Sequence, residues 1–228
     1  MELLAFGDTG WGDELLRATL MTILVALTAF FIGFLVSCII VPLKLSKKIY
    51  LNYLGSIYTT IFRGVPELLI IYLLFFGGSG AVMFVAKIFG YKEYIEINAF
   101  LTGSISIGLI SGAYTTEVLR GAITSVNKGQ YDGAKSLGLK KTTYYFFVIA
   151  PQVLRLSIPN LSNVWQLTLK DTALISVTGL VEIMRQSYIA SGATRNPLLF
   201  YLFAAFLYLI LTTISLRYFN KLEQKYNF

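Results

Sequence analysis

Long runs without charged residues dominate the hydrophobic pattern of this chain. Four stretches contain no Asp, Glu, Lys or Arg: residues 18–43, 68–86, 97–116 and 196–216. A helix needs roughly 20 apolar residues to cross about 30 Å of hydrocarbon, and each stretch is close to that length. Buried helices of soluble proteins seldom run this far without a polar face. The pattern therefore predicts an all-α integral membrane protein.

Five membrane spans follow from these runs and from one less regular segment. The predicted spans are Ala18–Pro42, Ile57–Gly77, Ala99–Ile123, Tyr145–Val177 and Pro197–Phe219. The fourth is interrupted, because Pro151 and Pro159 each remove a backbone donor. Three charged residues also break its apolar run: Arg155, Lys170 and Asp171. We expect a short helix that enters the membrane, followed by a broken or tilted one.

The composition agrees with membrane insertion and removes several other classes of function. Of the 228 residues, 56% are hydrophobic and 14% charged, whereas a soluble domain carries about 25% charged residues. The net charge of +7 does not indicate nucleic-acid binding, because most Lys and Arg residues lie at span ends, where they face anionic lipid. The chain has no His and a single cysteine, Cys38, so we expect neither a metal site nor redox chemistry.

Loop charges orient the spans through the positive-inside rule. The basic residues of the first connection, the third connection and the tail are Lys44, Lys47, Lys48, Arg120, Lys128, Lys135, Lys140, Lys141, Arg217, Lys221 and Lys225. The second and fourth connections hold fewer unbalanced cations: Lys87 and Lys92 with Glu93 and Glu96, then Arg185 and Arg195 with Glu182. The chain is predicted to begin outside the membrane and end inside, which requires an odd number of spans.

The N-terminus is acidic and does not resemble a cleaved signal peptide. Its acidic residues are Glu2, Asp8, Asp13 and Glu14, and the first basic residue is Arg17. A signal peptide begins with basic residues and has a shorter apolar region than residues 18–43. We therefore expect the first span to stay in the membrane as part of a single transmembrane domain, residues 1–228.

The third connection, residues 128–151, contains a short predicted helix that is suited to docking. Gln130–Leu137 presents the small residues Gly133 and Ala134 beside polar neighbours, and Gly138 ends the helix. Such a surface suits close contact with another protein better than contact with lipid. An ordinary solvated loop remains the alternative, because Gly and Ala are common in surface loops.

The same connection resembles the EAA loop of ABC importer permeases. Asp132-Gly133-Ala134, then Gly138, and later Ala150-Pro151 follow that family's order of Glu-Ala-Ala, Gly and Pro, with Asp for Glu and Gly for the first Ala. Further patches are similar to polar amino-acid permeases, nearest the Q-type subunit of importers for histidine, arginine and octopine: residues 62–67, 113–117, 120–122, 163–165 and 170–174.

The resemblance implies a type I (MetI-like) permease core whose coupling helix lies in a cleft of the ATPase subunit. The implied coupling residues are Gln130, Asp132, Gly133, Ala134, Gly138 and Pro151. The implied partners are ABC ATPase subunits, a second permease that is identical or paralogous, a periplasmic binding protein and an amino-acid substrate. The chain contains no phosphate-binding G-x-x-x-x-G-K-[ST] loop, so ATP and Mg²⁺ would be bound by the partner. The location implied is a bacterial inner membrane, with the N-terminus periplasmic and the C-terminus cytoplasmic.

Three acidic residues in or beside the spans are candidates for the substrate pathway: Glu67, Glu117 and Asp171. A charge at the bilayer centre costs about 2.5–3.5 kcal/mol or more, so it faces a partner or a wet cavity. Glu67 could instead pair with Arg63 one helical turn away, and Glu117 with Arg120. Asp171 has only Lys170 beside it, and neighbours in sequence do not face one another on a helix.

The family background together with these acids favours a cationic amino acid or opine as cargo. Three polar residues of the interrupted span, Asn163, Trp165 and Thr168, are further pathway candidates, although a structural role is also open for them. The main alternative is an ion-coupled secondary carrier, which would show inverted repeats and more spans. A small channel would not need a docking helix, and a membrane enzyme lacks support from any cluster of catalytic groups.

Overall fold

The computed structural model describes residues 2–7, 10–90 and 98–226, so that four charged residues of the loop analysis, Asp8, Lys92, Glu93 and Glu96, lie outside the described part. The α-helices are α1 (Gly12–Lys44), α2 (Ile49–Gly64), α3 (Glu67–Tyr72), α4 (Gly78–Ile88), α5 (Ala99–Ser125), α6 (Lys128–Ser136), α7 (Lys141–Tyr144), α8 (Ala150–Asp171), α9 (Ile183–Thr194) and α10 (Pro197–Tyr226). Two π-helical turns, Leu73–Gly77 and Tyr145–Ile149, connect α3 to α4 and α7 to α8. Short 3₁₀ segments cover Glu2–Leu4 and Thr172–Thr178.

Three of the described helical stretches are long and apolar enough to cross a membrane: Gly12–Lys44, Glu67–Val85 and Pro197–Lys225. Helices α5 and α8 are also long, with 27 and 22 residues, which gives lengths of about 40 and 33 Å at 1.5 Å per residue. Both helices pack against other helices of the bundle. The prediction of all-α architecture is confirmed, and the first and fifth predicted spans coincide with two of these three stretches. The third predicted span, Ala99–Ile123, coincides with the helix α5.

Helix α5 is the centre of the bundle and contacts α1, α2 and α8. Its packing against α1 is so close that there is no room for a side chain at Gly33. A Cβ atom added to Gly33 would lie 2.9 Å from the backbone nitrogen of Gly112 and 3.0 Å from the carbonyl oxygen of Gly108. The Ser111 hydroxyl donates a hydrogen bond to the Ala29 carbonyl across this contact, at 3.4 Å. Small residues let two helices approach in this way inside a membrane.

The second predicted span, Ile57–Gly77, is wrong in its bounds because the helix breaks at Pro66. The residue before a proline is driven away from helical geometry, and Val65 is extended, with φ −95° and ψ 138°. A new helix begins at Glu67 and continues through the π-helical turn into α4. Helix α2 is therefore a separate element that packs on α1 and α5.

The expected break inside the fourth span is also wrong, because α8 runs from Ala150 to Asp171 without interruption. Pro151 lies in the first turn, where its missing N–H would have had no helical partner. Pro159 lies inside the helix and costs one backbone hydrogen bond, which the packing of α8 on α5, α1 and α10 tolerates. The irregular backbone lies at the two ends instead, as the π-helical turn before α8 and the 3₁₀ segment after it.

Candidate functional site

Two acidic side chains meet near a tyrosine in the middle of the bundle. Glu67 begins α3, Asp171 ends α8, and Tyr114 lies in the central turns of α5. The Tyr114 hydroxyl interacts with the Glu67 carboxylate, and Asp171 interacts electrostatically with both residues. All three are partly exposed. The structure thus brings together two of the three predicted acids, which the sequence separates by about a hundred positions.

Arg63 lies beside this acidic pair but faces a different carboxylate. Its guanidinium is 5.4 Å from the centre of the Tyr114 ring, in a cation–π contact. The ion pair recorded for Arg63 in the described part of the chain joins it to Glu117, at 4.0 Å. The break at Pro66 separates Arg63 and Glu67 onto two helices, so the i,i+4 geometry that would pair them does not form.

Glu117 is surrounded by cations from three helices. Lys44, at the end of α1, binds one carboxylate oxygen of Glu117, and Arg120 binds the other at 2.9 Å. Lys44 also donates to the Thr59 hydroxyl of α2, at 2.8 Å. The Lys44 and Glu117 side chains are only 11% and 18% exposed. We call Glu117, Lys44, Arg63 and Arg120 the Glu117 cluster; it ties α1, α2 and α5 together.

Helix α8 has an exposed face on which polar residues are interspersed with Leu156 and Leu167. Asn160, Asn163 and Lys170 are exposed and lie on this face, together with the partly exposed Gln152. The amides and the charge on this face do not suit contact with lipid tails, because such groups need polar partners. It therefore indicates contact with protein or water.

The other two pathway candidates on α8 point elsewhere. The Thr168 side chain is fully buried and donates to the carbonyl oxygen of Val164 within the helix, at 2.9 Å. Trp165 packs edge-on against Phe30 of α1, with ring centroids 5.5 Å apart. Trp165 lines a pocket that α8 forms with α1 and α10, and it faces away from the exposed Asn163.

The predicted docking helix is present as α6, from Lys128 to Ser136. The Asn127 side chain caps its start by accepting a hydrogen bond from the Gly129 N–H, at 2.8 Å. At its end Gly138 has φ +68°, and two backbone bonds close the turn: Gly138 N–H to Lys135 O and Leu139 N–H to Ala134 O. This is a Schellman motif, in which glycine takes the left-handed position. The stop predicted at Gly138 is confirmed.

The outward face of α6 differs from the expected one at Ala134. Asp132 and Gly133 are exposed, and nothing lies within 4 Å of a Cβ atom added to Gly133. Ala134 is buried in a cluster with Tyr144, so it packs α6 against the bundle and does not lie on the exposed face of α6. Leu137, which is 79% exposed, adds an apolar contact that the sequence did not single out.

The remaining coupling candidates lie where α6 meets the start of α8. The side chain of Gln152 donates to Gln130 at 3.3 Å and to the Val148 carbonyl at 2.8 Å. Pro151 is exposed in the first turn of α8. These contacts connect the docking helix directly to the helix that ends at Asp171.

A comparison with known protein families identifies the family to which the chain belongs. The model described as binding-protein-dependent transport system inner membrane component matches residues 29–227. The chain belongs to this family. Members of this family are membrane components of transport systems, and the ATPase is a separate subunit. The resemblance stated from the sequence is confirmed, and the ion-coupled carrier is not favoured.

Relatives are similar over nearly the whole chain. The octopine transport system permease protein OccQ of Rhizobium meliloti is 46% identical over 225 residues, covering 99% of this chain and 95% of the relative. The nopaline transport system permease protein NocQ of Agrobacterium fabrum is also 46% identical, covering 98% and 95%. The histidine/lysine/arginine/ornithine transport system permease protein HisQ of Escherichia coli is 31% identical, covering 96% and 95%.

Solved structures show the same fold. A chain of an amino acid ABC transporter crystallised with histidines superposes with a TM-score of 0.80 at 27% identity, covering 94% of this chain and 95% of that one. A chain of the MetNI methionine ABC transporter superposes with a TM-score of 0.71 at 15% identity, covering 96% and 98%. The MetI-like core predicted from the resemblance is thereby confirmed.

Proposed function

We propose that this chain is the permease subunit of an ABC importer for cationic amino acids or opines. Relatives that cover nearly the whole chain are named for octopine, nopaline and histidine/lysine/arginine/ornithine transport. Each of these compounds has an amino-acid backbone, and most have a cationic side chain. The proposal therefore requires a feature of the pathway that selects for positive charge.

The grouping of Glu67, Asp171 and Tyr114 supports this proposal. Two carboxylates close to one another in a membrane protein repel, and the repulsion is relieved when a cation lies between them. Glu67 and Asp171 interact electrostatically with one another, and Tyr114 interacts with both. An arginine-like side chain fits this need, since a guanidinium can bind carboxylates through two parallel hydrogen bonds. Asn163 is on the exposed face of α8 and supplies an amide donor for the substrate carboxylate.

Two exposed surfaces of the chain support an assembly with other subunits. The polar face of α8 suits a second permease, identical or paralogous, with the pathway between the two subunits. The outward face of α6, formed by Asp132, Gly133 and Leu137, suits a cleft in an ATPase subunit. A periplasmic binding protein would deliver cargo at the opposite end, with the N-terminus periplasmic and the C-terminus cytoplasmic in the inner membrane.

The transport cycle that fits this geometry is alternating access. ATP binding would close the two ATPases and move α6, which the buried Ala134 fixes to the bundle. The link from Gln130 to Gln152 would pass this movement to α8, and so to Asp171 at its far end. The pathway would open outward to receive cargo, and hydrolysis would return it to the inward-facing state.

The test is uptake of radiolabelled arginine by vesicles containing the reconstituted importer. Glu67→Gln and Asp171→Asn should each reduce uptake by about tenfold or more, because each removes one charge-assisted hydrogen bond, worth roughly 1.5–3 kcal/mol. Glu223→Gln, on the last turns of α10, is the control that removes a carboxylate away from the pair. Wild-type uptake by both test variants would refute the acidic site.

A further inference from the structure

A fully buried carboxylate outside the acidic pair holds the start of α9. Glu182 has no exposed surface, and its side chain accepts hydrogen bonds from the backbone N–H groups of Arg185, at 2.7 Å, and Met184, at 2.9 Å. It is thus the N-cap of α9, a position where a carboxylate is favoured by unpaired N–H groups and the helix dipole. One carboxylate oxygen makes a further bond, to α10.

That further bond comes from Tyr208 of α10, whose hydroxyl connects three separate segments. It donates to Oε2 of Glu182 at 3.0 Å and lies 3.2 Å from the hydroxyl of Thr172, the first residue of the 3₁₀ segment. Helix α1 joins this arrangement through Thr22, whose hydroxyl accepts from the backbone N–H of Ile183, the residue after Glu182, at 3.2 Å. We call Tyr208, Glu182, Thr172 and Thr22 the Tyr208 network.

The Tyr208 network lies directly against the residue that ends α8. Thr172 follows Asp171, and at this point the backbone changes from α-helix to 3₁₀-helix. The direction of the Asp171 side chain depends on where that change occurs. The Thr172 hydroxyl, held between the Leu169 carbonyl at 2.7 Å and Tyr208 at 3.2 Å, fixes the position of the change.

We propose that the Tyr208 network positions Asp171 beside Glu67, and that Tyr208 is therefore a positioning residue for cargo selection. The inference rests on the proposed function, in which Asp171 contacts the cargo. Packing alone does not require this network, since a buried polar group can be replaced by an apolar one of the same shape at little cost in stability. Its hydrogen bonds instead fix one geometry at the junction of α1, α8, α9 and α10.

The experiment compares Tyr208→Phe with the wild type in the complete importer, reconstituted with its ATPase and binding protein. The phenylalanine ring fills the same space and lacks only the hydroxyl. We expect the KM for arginine uptake to rise about three- to tenfold, with a much smaller change in the maximal rate, because one neutral-to-charged hydrogen bond is lost. Tyr218→Phe removes a hydroxyl from the exposed end of the same helix and should leave KM unchanged.

Two further variants separate positioning from a general loss of stability. Thr172→Ser keeps the hydroxyl and should restore near wild-type KM, whereas Thr172→Val should behave like Tyr208→Phe. If Tyr208 acts through Asp171, Tyr208→Phe will have no additional effect in the Asp171→Asn background. The threonine pair also provides the test if Tyr208→Phe does not assemble.

The possible outcomes distinguish the two proposals. The positioning role would be overturned, while the acidic site stands, if KM is unchanged in Tyr208→Phe and Thr172→Val. The same conclusion follows if Tyr208→Phe raises KM by the same factor in the Asp171→Asn background as in the wild type. Wild-type uptake by both Glu67→Gln and Asp171→Asn would overturn the acidic site itself, and the positioning role with it; wild-type uptake by Asp171→Asn alone would overturn the positioning role. A raised KM that disappears in the Asp171→Asn background supports both.

Discussion

Removal of the Glu117 charge should destabilise the permease more than removal of an exposed acidic charge. Glu117→Gln keeps the size of the side chain but leaves Lys44, only 11% exposed, without its carboxylate. Breaking a buried ion pair by removing one partner costs about 3–5 kcal/mol. Arg63 and Arg120 are 44% and 40% exposed, so their pairs contribute the smaller amounts of surface ion pairs, below about 1 kcal/mol each. We expect a loss of about 3 kcal/mol.

The assay is unfolding of the purified permease in mixed micelles, followed by circular dichroism against denaturant and temperature. For a chain of this length each kcal/mol corresponds to roughly 2–4 °C, so Tm should fall by about 6–12 °C. Asp132→Asn is the matched control, because Asp132 and Lys135 are 74% and 64% exposed and 3.9 Å apart. Its expected change is below about 0.5 kcal/mol.

A double variant tests the physical cause. In Lys44→Met combined with Glu117→Gln no nearly buried cation remains unpaired, so the double variant should be more stable than Glu117→Gln alone. The reasoning would be refuted if Glu117→Gln cost no more than Asp132→Asn, or if the second substitution added a full further loss.

Two further predictions concern glycines. Gly33→Ala should lower the free energy of unfolding by about 1–3 kcal/mol, because the added methyl group meets the backbone of α5. The control is Gly121→Ala, which has open space around it and should be neutral or stabilising by up to about 1 kcal/mol. The same unfolding assay measures both, and equal effects would contradict the packing argument. Gly133→Trp should abolish cargo-stimulated ATP hydrolysis by the assembled importer without loss of membrane insertion, whereas Gly133→Ala should retain it. Full ATPase stimulation in the tryptophan variant would place the docking surface elsewhere.

Charge patterning predicted the lipid-facing helices well, because lipid imposes a simple requirement on sequence. Helices α1 and α10 must be apolar along most of their length, so a run without charge marks them directly. Proline effects were less predictable. Pro66 breaks a helix and Pro159 does not, and the difference depends on packing around each position, which sequence spacing does not contain.

The candidate site was only partly predictable for a similar reason. Arg120 lies three positions from Glu117, so local spacing suggested that pair, but Lys44 reaches Glu117 from 73 positions away. Ala134 belonged to the recognised motif, yet its side chain turns inward because the face of α6 follows from contacts with Tyr144 and its neighbours. The burial of Glu182 could not be predicted either, because in the sequence it stands in a connection between spans, where a charged residue is expected to be exposed.

The glycine contact between α1 and α5 determines which parts of the subunit can move independently. Where Gly33 and Gly112 meet, the two backbones are in close contact. The nearby hydroxyls of Ser111 and Tyr58 each donate to a backbone carbonyl, which holds their rotamers and leaves little freedom for sliding. We therefore expect these two helices to move as one rigid body during transport, and the conformational change to occur at the irregular joints around them. These joints are the break at Pro66 and the 3₁₀ segment after Asp171. Both adjoin the acidic pair, so the residues proposed to hold the cargo would lie at the hinges of the molecule.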